Sequence, residues 1–401
     1  MTSIFAAVEM APRDPILGLN EAFQADTRAG KVNLGVGVYY DDAGKIPLLA
    51  AVRTAEDARL KAAPARGYQP IEGAAAYNKA VQTLLFGTDS ALVNAGRAIT
   101  FEALGGTGAL KVGADFLKRL NPEAQVLISN PSWENHRALF EAAGFEVGTY
   151  AYYDASTRGV DFDGMLNSLN GAAAGTVVVL HACCHNPTGA DLSAEQWTQV
   201  VETVRSRQLV AFIDMAYQGF ADGIEPDAVA LRLFAESGLE FFVASSFSKS
   251  FSLYGERVGA LTVVTDNKET STRVLSQVKR VVRTNYSNPP THGGAIVAAV
   301  LSDPALRQQW EDELAGMRDR IRLMRSALVD KIAAAGVKQD FSFVVRQRGM
   351  FSFTGLTADQ VEKLKHDFGI YAVSSGRICL AALNSGNIDY VANAIAAVVN
   401  S

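Results

Sequence analysis

An α/β architecture with a mostly parallel sheet in a large domain, joined to a smaller α+β domain, is predicted by three observations. Short apolar runs alternate with amphipathic helical stretches from about residue 98 to residue 300, the rhythm of strand-helix-strand units. Two of those runs, residues 176–180 and 209–213, are almost uninterruptedly apolar, as strands buried on both faces are. The rhythm breaks before about Pro47 and again after about Pro304, so a second layer is built from both ends of the chain.

The alternating region opens with a strand at Ala98-Ile99-Thr100-Phe101. Gly105-Gly106-Thr107-Gly108 then leads into a helix that places Leu110, Ala114, Leu117 and Leu120 on one face. Val126-Leu127-Ile128-Ser129 is the next strand, and a helix opens near Pro131-Ser132-Trp133. The runs at 176–180 and 209–213 follow, and Glu240-Phe241-Phe242-Val243-Ala244 is a further apolar stretch. Beyond it the pattern predicts a long helix from about 304 to 335, short strands near 341–353 and 377–381, and a final helix to Val399. The expected division is a large domain over 48–310, a discontinuous small domain over 15–47 and 311–401, and an N-terminal arm over 1–14. No internal repeat or low-complexity linker interrupts it.

A chain of 401 residues buries a sizeable core. Its net charge of -5 gives no basic footprint for nucleic acid, and no Lys/Arg cluster is dense enough for a membrane surface. An anionic ligand therefore needs local arginines. Apolar runs such as 295–301 fall far short of the roughly 18 residues a membrane span demands. Residues 1–15 lack a basic n-region and are interrupted by Glu9, unlike a secretory signal. Cys183 and Cys184 are adjacent and Cys379 is remote, unlike a disulfide framework. A cytoplasmic location is expected.

Several motifs are decoys. Gly35-Val36-Gly37 and Gly105-Gly106-Thr107-Gly108 echo dinucleotide loops without completing the pattern. His181-Ala182-Cys183-Cys184-His185 offers soft and imidazole ligands, but on a strand these are one face of a period-2 alternation, and no metal is expected. Neither a Gly-x-Ser-x-Gly elbow nor a phosphate-loop lysine motif occurs.

What survives is a constellation around Lys249. It sits in Ser246-Phe247-Ser248-Lys249-Ser250-Phe251-Ser252-Leu253-Tyr254-Gly255-Glu256-Arg257, directly after an apolar run. A lysine with an ordinary pKa of about 10.4 becomes a useful nucleophile only where desolvation or nearby positive charge lowers it, and Arg257 can supply that charge. Asp214 ends an apolar strand, where ligands bind in open α/β sheets, with Tyr217 three residues on. Asn186-Pro187-Thr188-Gly189 follows the preceding strand. Pyridoxal 5'-phosphate gives these pieces one explanation. Asp214 holds the proton on its ring nitrogen, Asn186 and Tyr217 donate to its phenolate oxygen, and Gly106, Thr107, Ser246 and Arg257 receive its phosphate.

Asn186-Pro187-Thr188-Gly189, Asp214-Met215-Ala216-Tyr217-Gln218-Gly219-Phe220, Ser246-Phe247-Ser248-Lys249, Tyr286-Ser287-Asn288-Pro289-Pro290 and Ser375-Gly376-Arg377 resemble, in collinear order, the class I aminotransferases of the aspartate and aromatic amino-acid group. The resemblance runs from about Pro15 to the C-terminus. It implies a fold-type I pyridoxal-phosphate transferase, a homodimer with active sites at the subunit interface, and ping-pong transamination between amino-acid and 2-oxo-acid substrates. Residue by residue it makes Lys249 the Schiff-base lysine and acid/base, and Asp214 the partner of the pyridinium nitrogen. Trp133 stacks on the ring, with His136 and His181 supporting Asp214. Tyr68 reaches the neighbouring subunit's phosphate. Arg377 grips the substrate α-carboxylate in a two-point fork, Gly37 lies close to it, and Arg283 crosses the interface to a distal carboxylate.

Specificity is read from the pocket wall. Tyr40 and Ile46 stand where the aspartate-preferring branch commonly has lysine and threonine, so with Ile16 and Leu17 they suggest a drier, less cationic pocket, lined also by Phe351. Leu253-Tyr254-Gly255-Glu256-Arg257 and Ala182-Cys183-Cys184-His185 resemble the tyrosine and aromatic branch, whereas Gly67 and Asn288 fit it poorly. Dual use of aromatic and dicarboxylic donors is the expectation. A strict aspartate aminotransferase, or a lyase or decarboxylase on the same scaffold, stays open at this point because the cofactor-holding residues are shared.

Overall fold

In a computed structural model, residues 3–12, 14 and 16–401 are described. Met1, Thr2 and Arg13 of the expected arm and Pro15 at the start of the expected small domain lie outside the described residues. Seven strands form the central sheet: β1 (Ala98–Leu104), β2 (Gln125–Asn130), β3 (Glu146–Ala151), β4 (Val177–His181), β5 (Val210–Met215), β6 (Phe241–Ser246) and β7 (Val258–Val264). Their order across the sheet is β1-β7-β6-β5-β4-β2-β3. Only β7 runs antiparallel to its neighbours, so the sheet is mostly parallel.

Period-2 alternation splits each central strand between two cores. Val178, Leu180, Ala211, Ile213, Phe241 and Val243 face one cluster, while Val177, Val179, Phe212, Phe242 and Ala244 face the other. Both faces are therefore covered, which explains why these strands read as continuous apolar runs. Helix α1 (Gly105–Leu120) covers the second face with Leu110, Ala114 and Leu117. Leu120, expected on that face, is the last residue of the helix and is 60% exposed, outside the cluster that Leu110, Ala114 and Leu117 join.

Registers align the carboxyl ends of the strands that carry the site. His181 pairs with Asp214, and Asp214 with Ala244. Strand β4 ends at His181, so Cys183 and His185 do not continue its alternation as expected. The Ala182 amide still bonds Asp214 O at 2.9 Å, but Cys184 has φ +52, and the amides of Cys184 and His185 turn to the Asp191 carboxylate at 2.7 and 2.8 Å.

Helix α2 (Glu134–Ala142) opens after β2, and α3 (Lys268–Asn285) follows β7. The predicted long helix is α4 (Pro304–Ala334), capped by Asp303 with Pro304 in the first turn, where its missing amide is not needed. Residues 341–350 are not strand as expected: Phe343–Arg346 is a helical turn with Phe343 and Val344 buried. The strand is restricted to β8 (Phe351–Phe353), antiparallel to β9 (Arg377–Cys379). From the N-terminal part, Val32–Asn33 pairs in parallel with Ile370–Tyr371. No helix among the described residues is long and apolar enough to cross a membrane.

Candidate active site

A cavity of about 390 Å³ opens beyond the carboxyl ends of β4, β5 and β6, within the usual range for small-molecule sites. Gly37, Gly106, Thr107, Trp133, Asn186, Asp214, Tyr217, Ser246, Lys249, Arg257, Phe351 and Arg377 all line it. These are twelve of the fourteen site residues expected from sequence.

Lys249 lies in the turn after β6, and its Nζ stands 4.8 Å from the centre of the Tyr217 ring. Desolvation lowers its pKa to about 8, with Asp214 opposing and Arg257 adding to the shift. Asp214 enters from the end of β5. Burial is the largest single influence on its carboxyl and pushes it up, yet the bond from His136 Nε2 at 2.9 Å and the electrostatic influence of His136, His181 and Lys249 together hold it below the ordinary value. His136 Nδ1 meets Ser132 Oγ at 2.9 Å, which orients the ring. Burial, with His136 4.9 Å away, holds His181 down to about 3, so it is neutral at pH 7. A fixed, buried carboxylate bordering the cavity is thus assembled from two elements and a helix start.

At one end lies a cradle for a dianion. Helix α1 begins at Gly105, leaving the Gly106 and Thr107 amides at a positive helix terminus. Gly105 has φ +70, a conformation that strains any other residue, and a side chain there would come within 2.5 Å of the Arg257 guanidinium and displace it. Arg257 is held by Tyr254 O at 2.9 Å. A cation, a helix start and the Ser246 and Ser248 hydroxyls converge, the arrangement that phosphate selects.

At the other end is Arg377, 2% exposed on β9. Its Nη1 donates to Asn186 Oδ1 at 3.0 Å and its Nη2 to Gly35 O at 2.6 Å. The Phe351 ring lies beneath it, its centre 4.3 Å from Arg377 Cζ, and Nε has no partner among the described residues. A side chain at Gly37 would strike the Phe351 ring at 2.5 Å. The fork is buried, aimed and under-satisfied, as a carboxylate site should be.

Tyr68 and Arg283 do not join the cavity of their own chain. Tyr68 is 96% exposed, and Arg283, exposed at the end of α3, donates to Ser287 Oγ. Of the pocket-wall residues, Ile16 and Leu17 line the cavity, whereas Tyr40 and Ile46 do not. Lining residues given no role from sequence are Val36, Leu110, Ala216, Ser248 and Tyr254. Tyr254 accepts the Tyr39 amide at 2.9 Å, and its position in the lysine turn was the available signal. The donor set fits pyridoxal 5'-phosphate: a dianion cradle, an amine and a buried carboxylate border one cavity.

Fold and site together define an open-sheet α/β enzyme built around a desolvated lysine. A family model described as "Aminotransferase class I and II" matches residues 29–395, and the chain belongs to that family. An aspartate aminotransferase of Pseudomonas aeruginosa is 66% identical over 397 residues, covering 99% of this chain and 100% of the relative. An aromatic-amino-acid aminotransferase of Escherichia coli is 50% identical over 398 residues, again covering 99% of this chain and 100% of the relative. The crystal structure of an aromatic-amino-acid aminotransferase from Burkholderia pseudomallei, covalently bound to pyridoxal phosphate, superposes with TM-score 0.97 at 68% identity, covering 99% of this chain and 100% of that one. The chain is an aminotransferase.

Proposed function

We propose that this aminotransferase uses pyridoxal 5'-phosphate to take amino groups from both aromatic and dicarboxylic L-amino acids. It passes them to 2-oxoglutarate by a ping-pong route in which both half-reactions share one site. The observation that carries the dual specificity is the cavity wall: Ile16, Leu17, Val36 and Leu110 make it apolar, while Arg377 supplies one buried carboxylate fork. An aromatic side chain is received by the apolar wall, and a distal carboxylate by Arg283 of a second subunit. Relatives divide the same way, carrying aspartate and aromatic names. An aromatic amino acids aminotransferase from Psychrobacter sp. B6, 46% identical with TM-score 0.97 and covering 99% of this chain and 100% of that one, was cocrystallised with aspartic acid.

When bound, the cofactor supplies a conjugated sink for the electron pair left at the substrate Cα. Gly106, Thr107, Ser246 and Arg257 would hold its phosphate, Trp133 would border its ring, and Asn186 and Tyr217 would donate to its phenolate. Asp214, bonded by His136, would hold a proton at the ring nitrogen. Arg377 fixes the substrate carboxylate, and Asn186 and Gly35 O fix Arg377. The Lys249 amine, lowered toward neutrality, is the base that takes the Cα proton and re-delivers it.

A homodimer with shared sites is part of the proposal, supported by the positions of Tyr68 and Arg283 outside the cavity of their own chain. So are the large domain at 48–310 and a cytoplasmic location, the latter supported by three buried, unbridged cysteines. The test is a donor panel run as single half-reactions, without acceptor, on the wild type and Arg283→Leu. Dicarboxylate donors should slow at least about thirtyfold, the effect of roughly 2 kcal/mol for one partner of a charge pair. Aromatic donors should change less than about threefold. Equal loss for both classes refutes the dual use of this arginine.

A further inference from the structure

A second cationic cavity, of about 210 Å³, shares no lining residue with the lysine site. It lies between α4, the segment after β5 and the turn before β8. Helix α4 contributes Arg318, Arg322 and Arg325 at i, i+4 and i+7, one helical face, and Arg348 approaches from the opposite wall. Like charges so spaced repel, so the arrangement needs a reason.

Carboxylates do not supply it fully. Arg322 pairs with Asp222 at 2.7 Å and with Asp319 at 3.8 Å, and Arg348 reaches Asp222 at 3.6 Å. The buried Asp191 is also close enough to act on Arg325 and Arg348, but its oxygens bond the Cys184 and His185 amides. Arg318 and Arg325 form no ion pair among the described residues. Arg325 is 1% exposed and bonds only carbonyl oxygens, those of Val344, Gly349 and Phe351. Arg318 Nη1 bonds Gly219 O at 2.9 Å, while its Nε is buried without a partner. Gln347 lines the same cavity at 3% exposure, and its Nε2 is likewise unpartnered. Buried donors and uncompensated guanidiniums are both costly, and one ligand satisfies both kinds.

We propose that this cavity is a binding site for a compact oxyanion of the inorganic phosphate class, held by Arg318, Arg325, Arg348 and Gln347. It lies behind the substrate arm: the Arg348 amide bonds Gly189 O at 2.7 Å, and Arg325 bonds Phe351 O at 2.6 Å. Gly189 and Phe351 belong to the segments that carry Asn186 and underlie Arg377.

The experiment titrates inorganic phosphate into the cofactor-loaded enzyme by calorimetry at constant ionic strength, with potassium chloride as the compensating salt. It is repeated for R318Q, R348Q and, as a control, R273Q on the exposed surface of α3. A saturable phosphate site is expected that R318Q and R348Q each weaken at least about tenfold and R273Q leaves unchanged, while kcat and cofactor absorbance stay at wild-type values. Absence of saturable binding, or equal binding by all four proteins, overturns the proposal. Selenate soaked into wild-type crystals provides a readout independent of any variant's folding. Anomalous density between Arg318 and Arg325 supports the site, and density confined to the Lys249 cavity overturns it.

Discussion

Asn186 Oδ1 accepts a hydrogen bond of 3.0 Å from Arg377 Nη1, both side chains buried, 191 residues apart. One amide thus ties the turn after β4 to β9. It also sets the guanidinium plane before any substrate arrives, which reduces the ordering cost of binding.

Arg377→Lys keeps the charge but loses the planar fork, since an ammonium cannot bond Asn186, Gly35 O and a carboxylate in one plane. We expect kcat/KM to fall at least about thirtyfold for every donor, roughly 2 kcal/mol. Steady-state kinetics across aromatic and dicarboxylic donors check this, and a loss limited to one class would contradict a common carboxylate role.

Asp214→Asn removes the charge while keeping the shape. Preorganised electrostatic groups of this kind carry about 10²- to 10³-fold in rate, so kcat should drop by at least about 10²-fold. His136→Leu leaves the carboxylate in place without its 2.9 Å partner and should cost less, about tenfold. The order of the two losses in rapid-quench half-reactions is the decisive result: a greater loss from His136→Leu would displace Asp214 from its role.

Lys249 has a folded pKa lowered to about 8, below its ordinary value of 10.5. Below about pH 8 both folded and unfolded amines are protonated, and burial of the charge costs stability in full. Between about 8 and 10.5 the unfolded chain binds more protons, so the cost diminishes as pH rises. In urea unfolding of the cofactor-free protein, the stability of wild type relative to Lys249→Met should rise with pH across that window. A flat difference means the amine is not desolvated.

Trp310, fully buried on α4, stacks on Phe251 at 4.6 Å and donates from Nε1 to Ser250 O at 2.7 Å. It fastens the long helix to the lysine turn. Trp310→Phe keeps a ring but strands a carbonyl, at about 1 to 3 kcal/mol, whereas Trp310→Ala should cost about 3 to 5 kcal/mol. Denaturant midpoints of the cofactor-free protein measure both, and a neutral Trp310→Phe would show that the hydrogen bond carries no weight.

Alternation of apolar runs and helical faces, read along the chain, was enough to place the strands at 98, 126, 176, 209 and 241, the helix from 304, and the cluster of Asn186, Asp214 and Lys249 at strand ends. Those signals are local: a side chain's period reports which face is buried, and a polar residue after an apolar strand reports an exit toward a ligand. Tertiary structure alone decided the remainder. The antiparallel insertion of β7 brings Gly106 against Ser246, with 3.2 Å between a side chain built there and Ser246 Cβ, and nothing near either residue encodes that contact. Leu120 follows the apolar stripe yet lies outside the core cluster that the stripe joins, and the turn at 343–346 is tied through Val344 O to buried Arg325, from another element. The arginine cavity was invisible for the same reason. Pairing between distant segments is fixed by the packing of the whole core, and the period of a single segment does not name the element that will cover it.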